Sequence, residues 1–218
     1  MNFINSPTKK KAYLTFDDGP SENTIKILEI LDLYKIKATF FVVGPLGEIQ
    51  ESLYKTIVEK GHTIGLHSYT HDYSIIYSSI DLFLEDLNKL EKLLVEKVGF
   101  VPSIYRFPGG SSNQVSKRFG GPFFMNKLKE VIKEKGYTFF DWNIDSGDTK
   151  GYLIDFDDII ENVRSNILDK ENVILLMHDS PVKTTTVQAL PEIINNLKKQ
   201  GFDFKTLSKG SFCIQFKI

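Results

Sequence analysis

The chain has 218 residues, with 27 Lys+Arg against 28 Asp+Glu and a formal net charge of −1. That balance excludes a typical nucleic-acid binder, which needs a clear basic excess to neutralise phosphates. With 41% hydrophobic residues, 17 Phe and 9 Tyr, it also excludes a disordered chain.

Residues 1–7 carry neither a basic cluster nor a long apolar stretch, so no signal peptide is expected there. Residues 1–10 read as an N-terminal extension and 11–218 as one domain, since no linker or low-complexity stretch divides the chain. No apolar run reaches the roughly 18 residues of a membrane-spanning helix. From 11 onward, short apolar β-type runs alternate with helical spacing. A run over 12–16 precedes a helix over 24–34, and a run over 38–43 precedes one over 48–60. The run over 63–66 precedes the apolar stripe Ile80, Phe83, Leu87, Leu90 and Leu94, whose steps of 3 and 4 draw one helix face. The run over 103–107 leads into a long irregular segment, 108–124, containing Gly109, Gly110, Gly120 and Gly121. A loop of that length usually carries function. A helix over 125–135 follows, then runs over 138–143 and 173–177 with helices over 157–168 and 186–199, and a last run over 202–204. Pro191 marks a kink or a late first turn in the last helix. Cys213, the only cysteine, excludes a disulfide framework and is expected as a buried or semi-buried apolar filler.

Seven strand–helix units of roughly 30 residues predict an α/β fold with a parallel sheet, either doubly wound or closed as a short barrel. No Gly-rich phosphate loop follows any strand, which favours a distorted (β/α)7 TIM-like barrel in a single domain. In such a barrel the site forms where strands end. Those ends carry Asp17-Asp18-Gly19-Pro20, His67-Ser68-Tyr69-Thr70-His71, Arg106-Phe107-Pro108-Gly109, Asp145-Ser146-Gly147-Asp148 and His178-Asp179. His62 falls at a strand start and reads as structural or exposed. Each group has an ordinary explanation alone, as a turn, a surface pair or an ion pair, but together they converge on one face. His67 and His71 can present two imidazoles to one cation, and a carboxylate would complete a hydrolytic zinc set with an open position. Of two adjacent carboxylates, one can bind metal while the other takes a proton from the attacking water, with Arg106 holding that base in place. His178 would donate a proton to a leaving amine, with Asp145 orienting it.

These five groups, in this order, resemble the motifs of the polysaccharide deacetylases (carbohydrate esterase family 4, the NodB homology domain). The resemblance runs from about Lys11 to Phe204. It implies a distorted barrel that removes N-acetyl groups from amino sugars with one divalent metal, zinc first and cobalt or another ion second. By position, Asp18, His67 and His71 match the metal ligands and Asp17 the catalytic base. Arg106 matches its tether, and His178 the general acid tuned by Asp145. The backbone N–H of Gly109 matches the oxyanion donor, Leu176 a wall of the acetyl-methyl pocket, and Tyr69 a sugar-stacking candidate beside Tyr73, Phe107, Phe119, Phe123 and Phe124. Two positions depart from the family pattern. Gly109 stands where the third motif commonly has an aromatic, and Thr149 where the fourth commonly has Trp. Trp142, three residues before Asp145, is expected to pack rather than line the pocket.

The resemblance implies peptidoglycan or another GlcNAc/MurNAc polymer as substrate, at the cell wall or outside a bacterium, with a monomer acting alone. Chitin oligomers, O-acetyl-xylan and a small-molecule amide are the alternatives within the same chemistry. A sugar-binding protein without turnover would have lost a ligand or the base, and no such loss is visible.

Overall fold

The computed structural model describes residues 9–45 and 47–217; most of the expected N-terminal extension and its signal-peptide reading lie outside the described residues. The elements run β1 (Lys10–Asp17), α1 (Glu22–Tyr34), β2 (Thr39–Val43), α2 (Glu48–Glu59), β3 (Thr63–Ser68), α3 (Tyr73–Ile76), α4 (Ile80–Val98) and β4 (Ile104–Tyr105). They continue with α5 (Ser116–Gly120), α6 (Phe124–Glu134), β5 (Thr138–Phe139), β6 (Ile144–Asp145), α7 (Phe156–Asn166), β7 (Asn172–His178), α8 (Thr184–Lys199) and β8 (Phe202–Phe204). The long helices stand where apolar spacing predicts them. Ser21 caps α1 in a capping box with Thr24, and Ser79 caps α4, which ends at Gly99 in the left-handed region. The segment 108–124 is not wholly irregular, since α5 lies within it. Pro191 sits inside α8.

All ladders are parallel, in the order β5-β4-β3-β2-β1-β7-β6. β8 pairs with Lys10–Ala12, on the edge of β1 that β2 takes further along. The seven-strand path is therefore a curled barrel whose end strands, β5 and β6, share no ladder among the described residues. The single run expected over 138–143 is broken between them. Its middle backbone is engaged elsewhere: the Phe140 and Asp141 carbonyls accept from Arg106, and the Asp141 N–H donates to Ile214. Those groups are satisfied without a strand neighbour, so no ladder forms.

Strand side chains alternate between faces, and this period sets the site. Ala12, Leu14 and Phe16 of β1 join the large core beneath the helices, as do Ile64 and Leu66 of β3 and Val173, Leu175 and Met177 of β7. Tyr13, Ile104 and Ile174 pack with Phe41, Phe140 and Leu207 in a second, smaller core inside the barrel. Continuing that inner set two residues at a time leads to Thr15 and Asp17, to Arg106, and to Leu176 and His178. His67 follows from the outward Ile64 and Leu66 by the same alternation. The barrel core thus ends, strand by strand, in polar groups.

Candidate active site

The left-handed turn at Asp18 (φ 73°) and another at His71 (φ 53°) bring three donors together. Asp18 Oδ1 lies 3.4 Å from His67 Nε2 and 3.1 Å from His71 Nε2, and it is buried with no hydrogen-bond partner. A buried carboxylate oxygen left unpartnered is costly, and a cation resolves it. One ligand atom from each residue lies within 4.8 Å of the others. The His67 Nδ1 contact with the Arg106 carbonyl, 2.6 Å, fixes the tautomer, because a carbonyl only accepts. Nε2 is therefore a bare lone pair facing Asp18, the state a metal ligand needs. Burial would raise the Asp18 pKa, but the two imidazoles beside it and the charges of His71 and His178 hold it well below the usual carboxylate range. The donor set fits a divalent cation.

Asp17, buried at 3% exposure, does not face that cluster with both oxygens: Oδ1 accepts from Arg106 Nη1 at 2.9 Å. Arg106 is wholly buried, and three more of its five N–H donors are directed at Thr15 Oγ1, Phe140 O and Asp141 O. Its guanidinium carbon lies 4.3 Å from the centroid of the Phe41 ring. A planar ion with four donors directed holds Asp17 in one orientation.

The expected Asp145–His178 pair does not form. His178 Nδ1 is 2.8 Å from Asp148 Oδ1, and the same carboxylate accepts the His178 N–H and the Thr186 hydroxyl. Asp145 instead closes its own turn, Oδ1 accepting from the Gly147 N–H at 2.7 Å, and is exposed at the edge of the cleft. The reversal at Gly147 (φ 77°) carries Asp148 inward beneath β7. Burial would lower the His178 pKa, but the hydrogen bond and charge of Asp148, helped by Asp18 and Asp17, outweigh it and raise the ring to about 9. Asp148 itself is held below its usual range by the same contact, against the opposing effect of burial.

Asp17, Asp18, His67, His71, Asp145 and His178 line one cleft of about 300 Å³, together with Tyr73, Gly109, Trp142, Thr149 and Leu176, while Arg106 and Asp148 stand behind it. Tyr69 is not among the lining residues; its ring lies against Gly44 and its N–H is held by Asp86. Trp142 packs against the inner core as expected, and it lines the cleft as well. Phe107 and Phe124 are core, while Phe119 and Phe123 are exposed away from the cleft. A larger hollow of about 740 Å³ opens among Lys35, Lys37, Lys198 and Phe204 near the strand starts, but no imidazole faces it. His62 is buried, accepts the Ala38 N–H, and is pushed down to about 4 by burial, so it is structural. Cys213 is exposed, not a filler: the C-terminal segment passes over the barrel's open seam, where Ile214 O accepts from Asp141 N–H.

The family model for polysaccharide deacetylase matches residues 4–121. The chain belongs to the polysaccharide deacetylase family. YheN of Bacillus subtilis, itself assigned only provisionally as a polysaccharide deacetylase, is 34% identical over 203 residues, covering 91% of this chain and 67% of that protein. A peptidoglycan-N-acetylglucosamine deacetylase of Bacillus cereus is 30% identical over 211 residues, covering 95% of this chain and 73% of that one. The catalytic domain of peptidoglycan N-acetylglucosamine deacetylase from Eubacterium rectale superposes with a TM-score of 0.91 at 34% identity, covering 97% of this chain and 94% of that one. As a family member the chain is a deacetylase, a hydrolase of acetyl groups on carbohydrate.

One residue of this deacetylase site escaped the motif reading. Asp86, on α4, is buried, and its carboxylate accepts from Ser68 Oγ, the Tyr69 and Thr70 N–H groups and Thr70 Oγ1, all at 2.7–2.8 Å. Ser68 Oγ in turn accepts from the His71 N–H. Asp86 therefore fixes the loop between the two imidazoles. A carboxylate beside Phe83, Leu87 and Leu90 on an otherwise apolar helix face is the signal that could have revealed it.

Proposed function

We propose that this deacetylase removes N-acetyl groups from GlcNAc- or MurNAc-containing polysaccharide, with peptidoglycan as its substrate, and that it works outside the cell membrane at the wall. The observation that carries this reading is that one cleft holds, side by side at the ends of neighbouring strands, an oriented carboxylate and a histidine whose pKa is raised to about 9. Asp17 accepts the proton of the attacking water while Arg106 keeps its other oxygen from turning away. The water oxygen bonds to the acyl carbon, the C–N bond breaks, and His178 supplies the proton that lets nitrogen leave as an amine. Phe107 O accepts the Gly110 N–H in a turn with Pro108 and Gly109 at its centre. The Gly109 N–H finds no acceptor among the described residues and lines the cleft, as a donor for the acyl oxygen should. Asp18, His67 and His71 would hold a divalent ion, with zinc suiting two imidazoles and a carboxylate. When bound, that ion supplies Lewis-acid polarisation of the acyl group and acidifies water.

The names of the relatives support peptidoglycan. None of the described helices is long and apolar enough to cross a membrane. The test is acetate release from a GlcNAc oligomer and from purified peptidoglycan in parallel, with added Zn²⁺ and with a chelator. Chelator-sensitive release from both, faster from peptidoglycan, is expected. Release that a chelator leaves untouched would overturn the metal assignment, and release confined to the soluble oligomer would move the substrate to chitin fragments.

A further inference from the structure

Neither Gly109 nor Thr149 brings an aromatic ring to the cleft, yet two aromatics line it from elsewhere. Tyr73 comes from the first residue of α3, and Trp142 from the link between β5 and β6. Each reaches the cleft through space that a glycine leaves open. A β-carbon at Gly109 would stand 3.0 Å from the Tyr73 hydroxyl, and one at Gly110 would stand 2.9 Å from the Trp142 ring. Both glycines also sit at positive φ, 73° and 81°, where a side chain is strained. An aromatic at 109 and the present position of Tyr73 therefore exclude one another.

The two walls differ in what they offer. The Tyr73 ring is committed on either side, its centroid 5.5 Å from those of both His71 and Tyr77. Its free end is the hydroxyl, which has no hydrogen-bond partner among the described residues and points at the Gly109 turn. Trp142 packs edge-on to Phe216 at 5.1 Å and lies over the Arg106 guanidinium at 5.7 Å, while part of it faces the cleft. A flat apolar ring and a lone hydroxyl donor lining one cleft suit a pyranose with a C–H face and a polar acetamide. The cleft, about 300 Å³, is of the size of one such ring with its substituent.

We infer that Tyr73 and Trp142 are the specificity-determining residues of this cleft. The Tyr73 hydroxyl donates to the acetamide-bearing sugar beside the Gly109 N–H, and the Trp142 indole covers its face. The inference rests on the deacetylase reading for the ligand's class, but it can be tested without turnover. Trp142 is the chain's one tryptophan, so its emission reports the cleft directly.

The experiment titrates a GlcNAc oligomer into the wild type, Tyr73→Phe and Tyr73→Leu while following tryptophan emission, and measures acetate release by the same proteins. Metal content and melting temperature are the folding controls. A saturable emission change is expected for the wild type. Tyr73→Phe keeps the ring and should weaken the midpoint roughly tenfold, the scale of one lost hydrogen bond. Tyr73→Leu should weaken it further. An equal midpoint for the wild type and Tyr73→Phe would overturn the role of the hydroxyl, and no emission change in the wild type would overturn that of Trp142. A Tyr73-dependent emission change without acetate release would uphold the inference and refute the proposed reaction instead.

Discussion

Two buried ion pairs meet the cleft through Asp17 and His178, at paired ends of neighbouring strands, and are built in opposite ways. On the base side, Asp17 meets a wholly buried guanidinium with four of its five N–H donors directed at fixed acceptors. On the acid side, His178 meets Asp148 and is a cation only while it keeps a proton that it must also give away. The first pair is a fixed strut; the second is a store whose filling depends on pH. A hydrolytic site needs both, because the base must be held still while the acid must cycle.

Breaking the strut should have the largest effect. Arg106→Met leaves the Asp17 carboxylate buried without its partner, which costs about 3–5 kcal/mol where such pairs have been split. Activity should fall by roughly 10³-fold or more, since base orientation is lost as well. Urea denaturation and acetate release would check both; a stable variant with near-normal turnover would show that the guanidinium is neither strut nor tether.

Emptying the store should come next. In Asp148→Asn the hydrogen bond and charge that do most to raise His178 are gone, and burial, which favours the neutral ring, is opposed only by Asp18 and Asp17. The wild type should lose activity on the alkaline side near pH 9, as His178 deprotonates. The variant's alkaline limb should move to lower pH, with a loss of activity on the alkaline side that shrinks as pH falls. An unmoved limb in the pH–rate profile would detach His178 from the acid role.

How much of this was legible in the sequence depended on how local each contact is. The strand ends announce themselves, because Asp17-Asp18 and His67 to His71 are short spans whose residue types signal their chemistry, although Asp18 meets His67 from two strands away and Asp17 meets Arg106 from three. The barrel followed from the regular alternation of apolar runs and helix stripes. Asp148 was missed because Asp145-Ser146-Gly147-Asp148 offers two carboxylates, and only the conformation of Gly147 decides which turns inward. Trp142 was read only in part, because it packs on the inner core with Phe140 and the same inward direction also brings it to the cleft. Cys213 was misplaced, since apolar composition says nothing of a segment that runs over the outside of a seam.

A third variant asks whether the metal loop is as rigid as the base strut. Asp86→Asn keeps the shape of the side chain but turns one acceptor into a donor, facing the N–H and hydroxyl donors of Ser68, Tyr69 and Thr70. At least one contact then reverses sign, and the loop between His67 and His71 loosens. Metal affinity should fall roughly 10- to 100-fold, the range for supporting groups around a metal ligand. Competition with a chromogenic chelator measures this directly, and unchanged affinity would show that the loop holds its form without α4.

The smallest effect should come from Asp145→Asn, and that smallness is what makes it informative. Asp145 lies three residues from Asp148 and borders the same cleft, but its carboxylate oxygen only closes a turn onto the Gly147 N–H. The amide oxygen of Asn can accept the same bond, so turn and fold should survive within about 0.5 kcal/mol. The alkaline limb of the pH–rate profile should stay near pH 9, because His178 takes its high pKa from Asp148. Side by side, the two variants separate nearness to the cleft from contact with the acid. If Asp145→Asn moved the limb as far as Asp148→Asn, the charge of the whole turn, and not one hydrogen-bonded carboxylate, would be what keeps His178 protonated.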